Sequence, residues 1–232
     1  MRKPGNWLIS VLESVEESNG QGRTDPGFFH PSDFGHICDA YMAFKFLGAP
    51  AVESIPARLR RIFDHGSGRD YYLKADSKKA GISLIKKEAD RKISIPHLHI
   101  RGELDEWVIN PANGRKYVVD FKTMNTNEFQ ALKEVKSSHH KQVHPYMKAK
   151  ETYEGIVLYE DKNDQNLKAM PADFDKTIWQ DEIVDRVDRV LHGIRTGYIK
   201  RTPIANDASC PFYNICTIAN LGKLLEESGV VI

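Results

Sequence analysis

The chain has 232 residues, 41% of them hydrophobic and 28% charged, an ordinary composition for a soluble globular enzyme of one domain with additions or of two small ones. No apolar run approaches the roughly 18 residues of a membrane span, and Glu13, Glu16 and Glu17 interrupt the apolar pattern of the N-terminus, which argues against a secretory signal and points to the cytoplasm, or to a host's cytoplasm for a phage-encoded chain. A net charge of +1 says nothing by itself about nucleic acid.

Residues 7–18 predict an amphipathic helix, and residues 20–26, rich in Gly, Arg and Asp, predict a loop. Residues 32–47 predict a helix capped by Ser32 or Asp33 and stopped by Gly48-Ala49-Pro50. Residues 55–80 read as mainly helical, with a break near Gly66 and Gly68. The texture then changes to short β-prone runs at 82–86, 92–100, 104–109 and 116–122, and Asn110-Pro111-Ala112-Asn113-Gly114 is a hairpin loop between the last two. Helices are expected at 126–133 and 137–150, strands at 155–160 and 167–171, a long amphipathic helix at 173–196 and a short last helix at 218–228. That order fits an α/β fold with a mixed sheet flanked by helices. The basic clusters Arg58, Arg60, Arg61; Lys78, Lys79; and Lys86, Lys87 read first as solvated helix faces and second as a phosphate-tracking surface.

The run Val118-Val119-Asp120-Phe121-Lys122-Thr123 is apolar and then abruptly charged. In a strand, residues i and i+2 share a face, so Asp120 and Lys122 point to one side while Phe121 packs on the other. The carboxylate can hold a divalent metal, and the ammonium can orient a water or offset charge developing on a phosphate. The preceding run carries Gly102-Glu103-Leu104-Asp105, with Glu103 and Asp105 expected on one face. A hairpin turning at 110–114 brings residue 105 roughly opposite residue 120. Carboxylates converging from two strands need a cation, and an oxygen-rich site suits Mg²⁺ or Mn²⁺. Taken alone, the tripeptide is also explained by a solvent-facing salt bridge on a hairpin.

Gly102-x-x-Asp105, then Asp120-x-Lys122, then Gln142-x-x-x-Tyr146 on one face of a following helix, resembles the PD-(D/E)XK nucleases. The likeness is closest to the RecB-type branch, which includes CRISPR-associated exonucleases, AddB-type nuclease domains and phage exonucleases. It covers roughly residues 30–218. The resemblance implies a restriction-endonuclease-like α/β core at 81–172, with a helical N-terminal part at 1–80 and a C-terminal helix and cysteine clasp at 173–232, all one nuclease domain. It implies that Asp105 and Asp120 hold Mg²⁺ or Mn²⁺ with the Phe121 carbonyl as a further ligand, that Lys122 orients the water, and that Gln142 and Tyr146 position the lysine or the substrate strand. Gly66-Ser67-Gly68-Arg69-Asp70 puts Asp70 where the family's G-x-x-x-H carries a metal-ligating histidine. Pro145 is a departure, because a proline inside the Gln142–Tyr146 helix is expected to kink it.

The three cysteines complete the resemblance. Iron–sulfur members of the family use one cysteine before the core and three after it; here Cys38, Cys210 and Cys216 match three of the four places, and Asp207 occupies the remaining one. The set implies a [4Fe–4S] cluster, with a zinc ion on His36, Cys38, Cys210 and Cys216, or plain buried thiols, as the alternatives. His97, His99, His139, His140 and His144 read as surface or hydrogen-bonded histidines without an assigned role.

The expected activity is metal-dependent exonuclease action on DNA, single-stranded or at duplex ends, in recombination, repair or phage DNA processing. No nucleotide-binding G-x-x-x-x-G-K-[ST] is present, so unwinding would come from a helicase or recombination partner. The rival readings are an inactive DNA-binding scaffold on the same fold, a sequence-specific endonuclease, and an iron–sulfur redox sensor. An oligomer, even a ring around DNA, is left open.

Overall fold

The central hairpin follows from its turn. Asn110 Oδ1 accepts from Ala112 N–H at 2.9 Å, Asn113 Oδ1 accepts from Arg115 N–H at 3.0 Å, and Gly114 takes the left-handed backbone (φ 71°) that a side chain would strain. The computed structural model describes residues 9, 11–14, 25–50, 57–202, 210–216 and 221–232. Within them the strands are β1 (Lys92–Ile95), β2 (Ile100–Glu103), β3 (Glu106–Ile109), β4 (Lys116–Met124), β5 (Gly155–Asp161) and β6 (Leu167–Pro171). The helices are α1 (Asp39–Phe46), α2 (Ala57–Lys79), α3 (Thr126–Ala131), α4 (Ser137–Ala149), α5 (Asp185–Thr196), α6 (Tyr213–Cys216) and α7 (Leu221–Ser228).

The main sheet has the order β3-β4-β5-β6. β3 and β4 are antiparallel with Glu106 opposite Val119, β4 and β5 are parallel with Asp120 opposite Val157, and β5 and β6 are antiparallel. Parallel neighbours need a crossover, and α3 and α4 provide it. Asn125 caps α3, its Oδ1 accepting from Glu128 N–H at 3.0 Å. β1 and β2 form a separate antiparallel ribbon, which Phe29 extends by accepting from Arg101 N–H at 3.0 Å and donating to the His99 carbonyl at 2.7 Å.

β4 is apolar on both faces, as a strand covered on both sides must be. Val118 and Met124 join a main core with Phe29, Phe34, Met42, Phe46, Met147, Tyr159 and Ile194. Val119 and Phe121 form a smaller cluster with Val108, against which Leu73 of α2 packs. Emptying one large site in the main core, as in Phe46→Ala, costs about 3–5 kcal/mol. Asp39 ties α1 to α5, accepting from Arg186 and from Arg189, each at 2.7 Å.

Several elements differ from the sequence expectation. The helix expected at 32–47 divides into a 3-10 turn at Pro31–Gly35 and α1, because His36 and Cys38 are extended between them. The break expected near Gly66 and Gly68 is absent, and α2 runs unbroken through both. Each glycine costs a helix about 1 kcal/mol, too little to interrupt 23 residues anchored on the sheet. The run at 92–100 is interrupted by a 3-10 turn at Pro96–Leu98 and by His99 at φ 52°. At 82–86 only Ser83 makes a β-bridge, to Val108. The helix expected at 173–196 begins with a π-helical stretch, Ile178–Val184, before α5. Pro145 lies inside α4, which continues past it to Ala149. Of the helix expected at 7–18, residues 11–14 are helical and most of the rest lies outside the described residues.

Candidate active site

The β3–β4 register continues to place residue 105 beside residue 120. Asp105 itself stands in the turn between β2 and β3, not on a strand face with Glu103 as expected. Its Oδ2 accepts from the backbone N–H of Phe121 at 2.8 Å, and its Oδ1 lies 3.6 Å from Lys74 Nζ of α2. The turn is held from behind. Leu104 is buried and its N–H donates to the Arg91 carbonyl at 3.0 Å, while the Arg91 guanidinium hydrogen-bonds the Asp105 carbonyl.

Asp120 is buried, 1% exposed. Its Oδ1 accepts from Gln142 Nε2 at 3.1 Å, and its Oδ2 lies 2.7 Å from Lys122 Nζ. That short N···O approach is an ion pair whose angles fall short of a well-aligned hydrogen bond. Burial, opposed by Lys122 and reinforced by Asp105 and Asp70, pushes the Asp120 carboxyl up to about 7. Burial pulls the Lys122 ammonium down, but Asp120 and Asp105 more than offset it and raise it above the ordinary lysine range.

Asp70, on α2, is drawn into the same field. Burial first and the Asp105 charge second push it up to about 6, and Lys74 and Lys122 pull the other way. Its neighbour Arg69 forks onto the buried Glu160 at 2.7 and 2.9 Å. Tyr146 is buried one turn after Gln142, and burial followed by the charges of Asp120 and Asp105 raises its hydroxyl well above the usual range. The structure therefore gathers Asp70, Asp105, Asp120, Lys122, Gln142 and Tyr146. Phe121 contributes backbone only, since its ring belongs to the smaller apolar cluster.

Glu160, Arg69, Lys74, Arg91 and His139 were not singled out as site residues from the sequence. Glu160 ends an apolar strand with a charge, which is the one local signal among them. His139 Nδ1 is 2.9 Å from the Tyr159 hydroxyl, and burial, with Lys122 and Lys136 nearby, lowers it to about 4. Tyr159 OH also accepts from Lys136 N–H at 3.1 Å.

Among the described residues no group of three or more His, Cys, Asp or Glu side chains stands as a ready metal cage. The donor set still fits a hard divalent cation. Asp105 pushes both the Asp70 and the Asp120 carboxyls up, the buried Asp120 Oδ2 has no well-aligned hydrogen bond, and Mg²⁺ characteristically completes one or two carboxylates with water and phosphate oxygens.

The three cysteines do come together. Cys38, Cys210 and Cys216 line one cavity of about 20 Å³ with Tyr41, Phe44 and Phe212. A space of that size holds about one water, so as placed the thiols do not form the expected cluster site. His36 does not join them; it accepts from Cys38 N–H at 3.2 Å and stacks on Tyr41. Asp207 lies outside the described residues. Among the described residues no helix is long and apolar enough to cross a membrane.

A family model, the PD-(D/E)XK nuclease superfamily, matches residues 29–217. No curated protein matches the sequence. Similar solved structures include SSO0001, at 15% identity over 90% of this chain and 96% of that one with a TM-score of 0.46. They also include the alkaline exonuclease LHK-Exo from Laribacter hongkongensis, at 14% identity over 81% of this chain and 93% of that one with a TM-score of 0.50, and LHK-Exo in complex with dAMP, at the same identity and coverage with a TM-score of 0.49. The likeness to LHK-Exo shows a shared fold: a mixed sheet flanked by helices, restriction-endonuclease-like.

Proposed function

The chain belongs to the PD-(D/E)XK nuclease superfamily, and from that premise we propose that it is a metal-dependent DNA exonuclease whose chemistry centres on Asp105, Asp120 and Lys122. The observation that carries the proposal is the contact set around Asp120: Lys122 Nζ at 2.7 Å, Gln142 Nε2 at 3.1 Å, and Asp105, in the β2–β3 turn, held to β4 by Phe121 N–H. A Mg²⁺ or Mn²⁺ ion held by Asp105 and Asp120, with Asp70 and the Phe121 carbonyl as further ligands, would supply Lewis acidity toward a phosphate oxygen and lower the pKa of a water.

The chain's own groups do the rest. Lys122 orients the attacking water and offsets charge gained by the phosphate oxygens as the phosphodiester bond breaks. Asp120 holds Lys122 protonated and in place, and Gln142 fixes the rotation of the Asp120 carboxylate. Tyr146, kept as a neutral phenol, is a hydrogen-bond donor for Gln142 or the substrate strand. Residues 1–232 belong to one nuclease domain in this proposal. It acts on DNA ends in recombination, repair or phage DNA processing, with unwinding left to a helicase or recombination partner. The named activity of the solved neighbour, an alkaline exonuclease, supports the choice of exonuclease.

A [4Fe–4S] cluster or a zinc ion on Cys38, Cys210 and Cys216 belongs to the proposed clasp and not to the chemistry. The three thiols line one cavity, which supports a shared ligand, and they would have to move apart to admit a cluster. Iron, sulfide and zinc analysis of chain purified without oxygen tests it, and the absence of all three sinks it.

The nuclease reading is tested with end-labelled linear single- and double-stranded DNA in Mg²⁺, Mn²⁺ or EDTA, with Asp120→Ala alongside. Metal-dependent shortening from the ends, absent in the variant, is expected. Binding without cleavage in every metal would leave an inactive scaffold, and discrete fragments from a circular plasmid would mean an endonuclease.

A further inference from the structure

A large cleft of about 980 Å³ opens beside the candidate site, and Gln142 belongs to both. Gln142 and Tyr146 line it on one side, and the β1–β2 ribbon lines it on another through Lys92, Ser94, Arg101 and Glu103. These four share one face of the ribbon, since Lys92 pairs with Glu103 and Ser94 with Arg101 in its register. On the opposite face Ile95 and Ile100 are buried in the main core, while the buried Ile93 and its partner Gly102 also edge the cleft. The ribbon is thus an anchored wall that turns its polar side to the cleft.

The charges on that wall differ in kind. Lys45 also lines the cleft but is already paired with Asp33. Lys92 and Arg101 are exposed and have no ion pair among the described residues. The Arg101 guanidinium lies over the ring of Phe28, 3.5 Å from its centroid. That stacking holds the cation in one pose without neutralising it. Two unpaired cations on a rigid ribbon, one of them pre-positioned, suit an anionic chain that passes both, and the cleft leads to the carboxylates through Gln142.

Size favours one strand over two. A volume of about 980 Å³ is that of a cube about 10 Å on edge, narrower than the major groove of B-DNA alone, about 12 Å. We infer that this cleft is the path of a single nucleic-acid strand, with Lys92 and Arg101 gripping consecutive backbone phosphates and delivering the strand past Gln142 to Asp120 and Lys122. The inference rests on the proposed nuclease reading and deepens it, naming the form of substrate that the site receives. Phe28 is a positioning residue that acts through Arg101.

Binding of a fluorescein-labelled oligo(dT) to the full chain, measured by anisotropy in EDTA, tests the inference apart from cleavage. Lys92→Ala with Arg101→Ala is expected to weaken binding at least tenfold at 0.1 M salt. It should also flatten the plot of log K against log salt by about 1.4, since each single-strand phosphate contact contributes about 0.7. Lys92→Arg with Arg101→Lys keeps both charges and should restore the slope, which separates phosphate contact from loss of structure. Phe28→Ala should weaken binding less than the double variant and leave the slope near wild type. Equal affinity and slope in wild type and double alanine variant, or no oligo(dT) binding by the wild type, would overturn the path. A chain that cuts DNA while its double variant binds unchanged loses the path and keeps the nuclease. Binding that depends on Lys92 and Arg101 without cleavage in Mg²⁺ or Mn²⁺ keeps the path and loses the nuclease.

Discussion

Asp105 accepts a hydrogen bond from the backbone N–H of Phe121 at 2.8 Å, so the carboxylate of one strand connection is pinned to the strand that carries Asp120 and Lys122. This bond is made by the Phe121 main chain and not by the Asp120 side chain. The geometry of the pair is therefore expected to survive substitutions that remove the chemistry.

Asp120→Asn and Lys122→Ala separate chemistry from fold. Loss of the charge-stabilising group is expected to lower cleavage by about 10²–10³-fold or more. Asp120→Asn should lower the melting temperature less than Lys122→Ala does, because burial already drives that carboxylate toward its neutral form and Lys122 keeps the Asp105 charge nearby. Lys122→Ala should lower it, because it leaves that carboxylate without its cation. Wild-type cleavage by either variant would show that the site is elsewhere.

Arg91 and Glu106 are buried at 3.8 Å beneath the turn that presents Asp105. Glu106 is further satisfied by the Ser83 hydroxyl at 2.9 Å and by Trp107 N–H at 3.0 Å. Arg91→Met strands the Glu106 charge and is expected to destabilise the protein by about 3–5 kcal/mol in urea unfolding. Arg91→Met with Glu106→Gln should recover part of that loss. A single variant as stable as wild type would mean that the pair contributes little.

His139 supplies a pH dependence. Its folded pKa, about 4, lies below the ordinary value near 6.5, because burial first and then Lys122 and Lys136 disfavour the imidazolium. Between those values the unfolded chain binds more protons than the folded one. The contribution of His139 is therefore complete above about pH 6.5 and is lost as the pH falls toward 4. Asp70 and Asp120 titrate with the opposite sign over an overlapping range, so the quantity to measure is the stability of wild type minus that of His139→Gln. This difference should shrink from pH 7 to pH 4.5; a difference independent of pH would contradict the assignment.

Gly155 opens β5, and a Cβ there would sit 2.5 Å from the Ala172 carbonyl oxygen and 3.1 Å from Met147 Sδ. Ala172 is tied to the same residue, donating its N–H to the Gly155 carbonyl at 2.8 Å, so the backbone cannot step aside freely. Gly155→Ala is expected to cost about 1–3 kcal/mol, the usual range for overpacking. Thermal unfolding of the variant checks this, and an unchanged midpoint would show that the strand end yields.

The residues that could be read without a structure are those governed by local rules. The period of two puts Asp120 and Lys122 on one side of β4. The asparagines and glycine of the 110–114 loop set the hairpin register, which carries residue 105 to residue 120. The i, i+4 spacing puts Gln142 and Tyr146 on one helix face, and the run of element types predicts a mixed sheet with helices. The tertiary structure alone decided which distant groups complete the arrangement. Arg69 and Glu160 are separated by 91 residues and meet because α2 crosses the sheet near β4, where Gly66 would place a Cβ 3.7 Å from Thr123 Oγ1. Arg91 reaches the turn of Asp105 through a fold-back that no local pattern encodes. The continuity of α2 through two glycines and the π-helical start before α5 also depend on packing, since burial against a sheet outweighs propensities of about 1 kcal/mol. The charge environment of Asp70, Asp105, Asp120 and Lys122 was decided there too, because desolvation depends on what surrounds a group and not on its place in the chain.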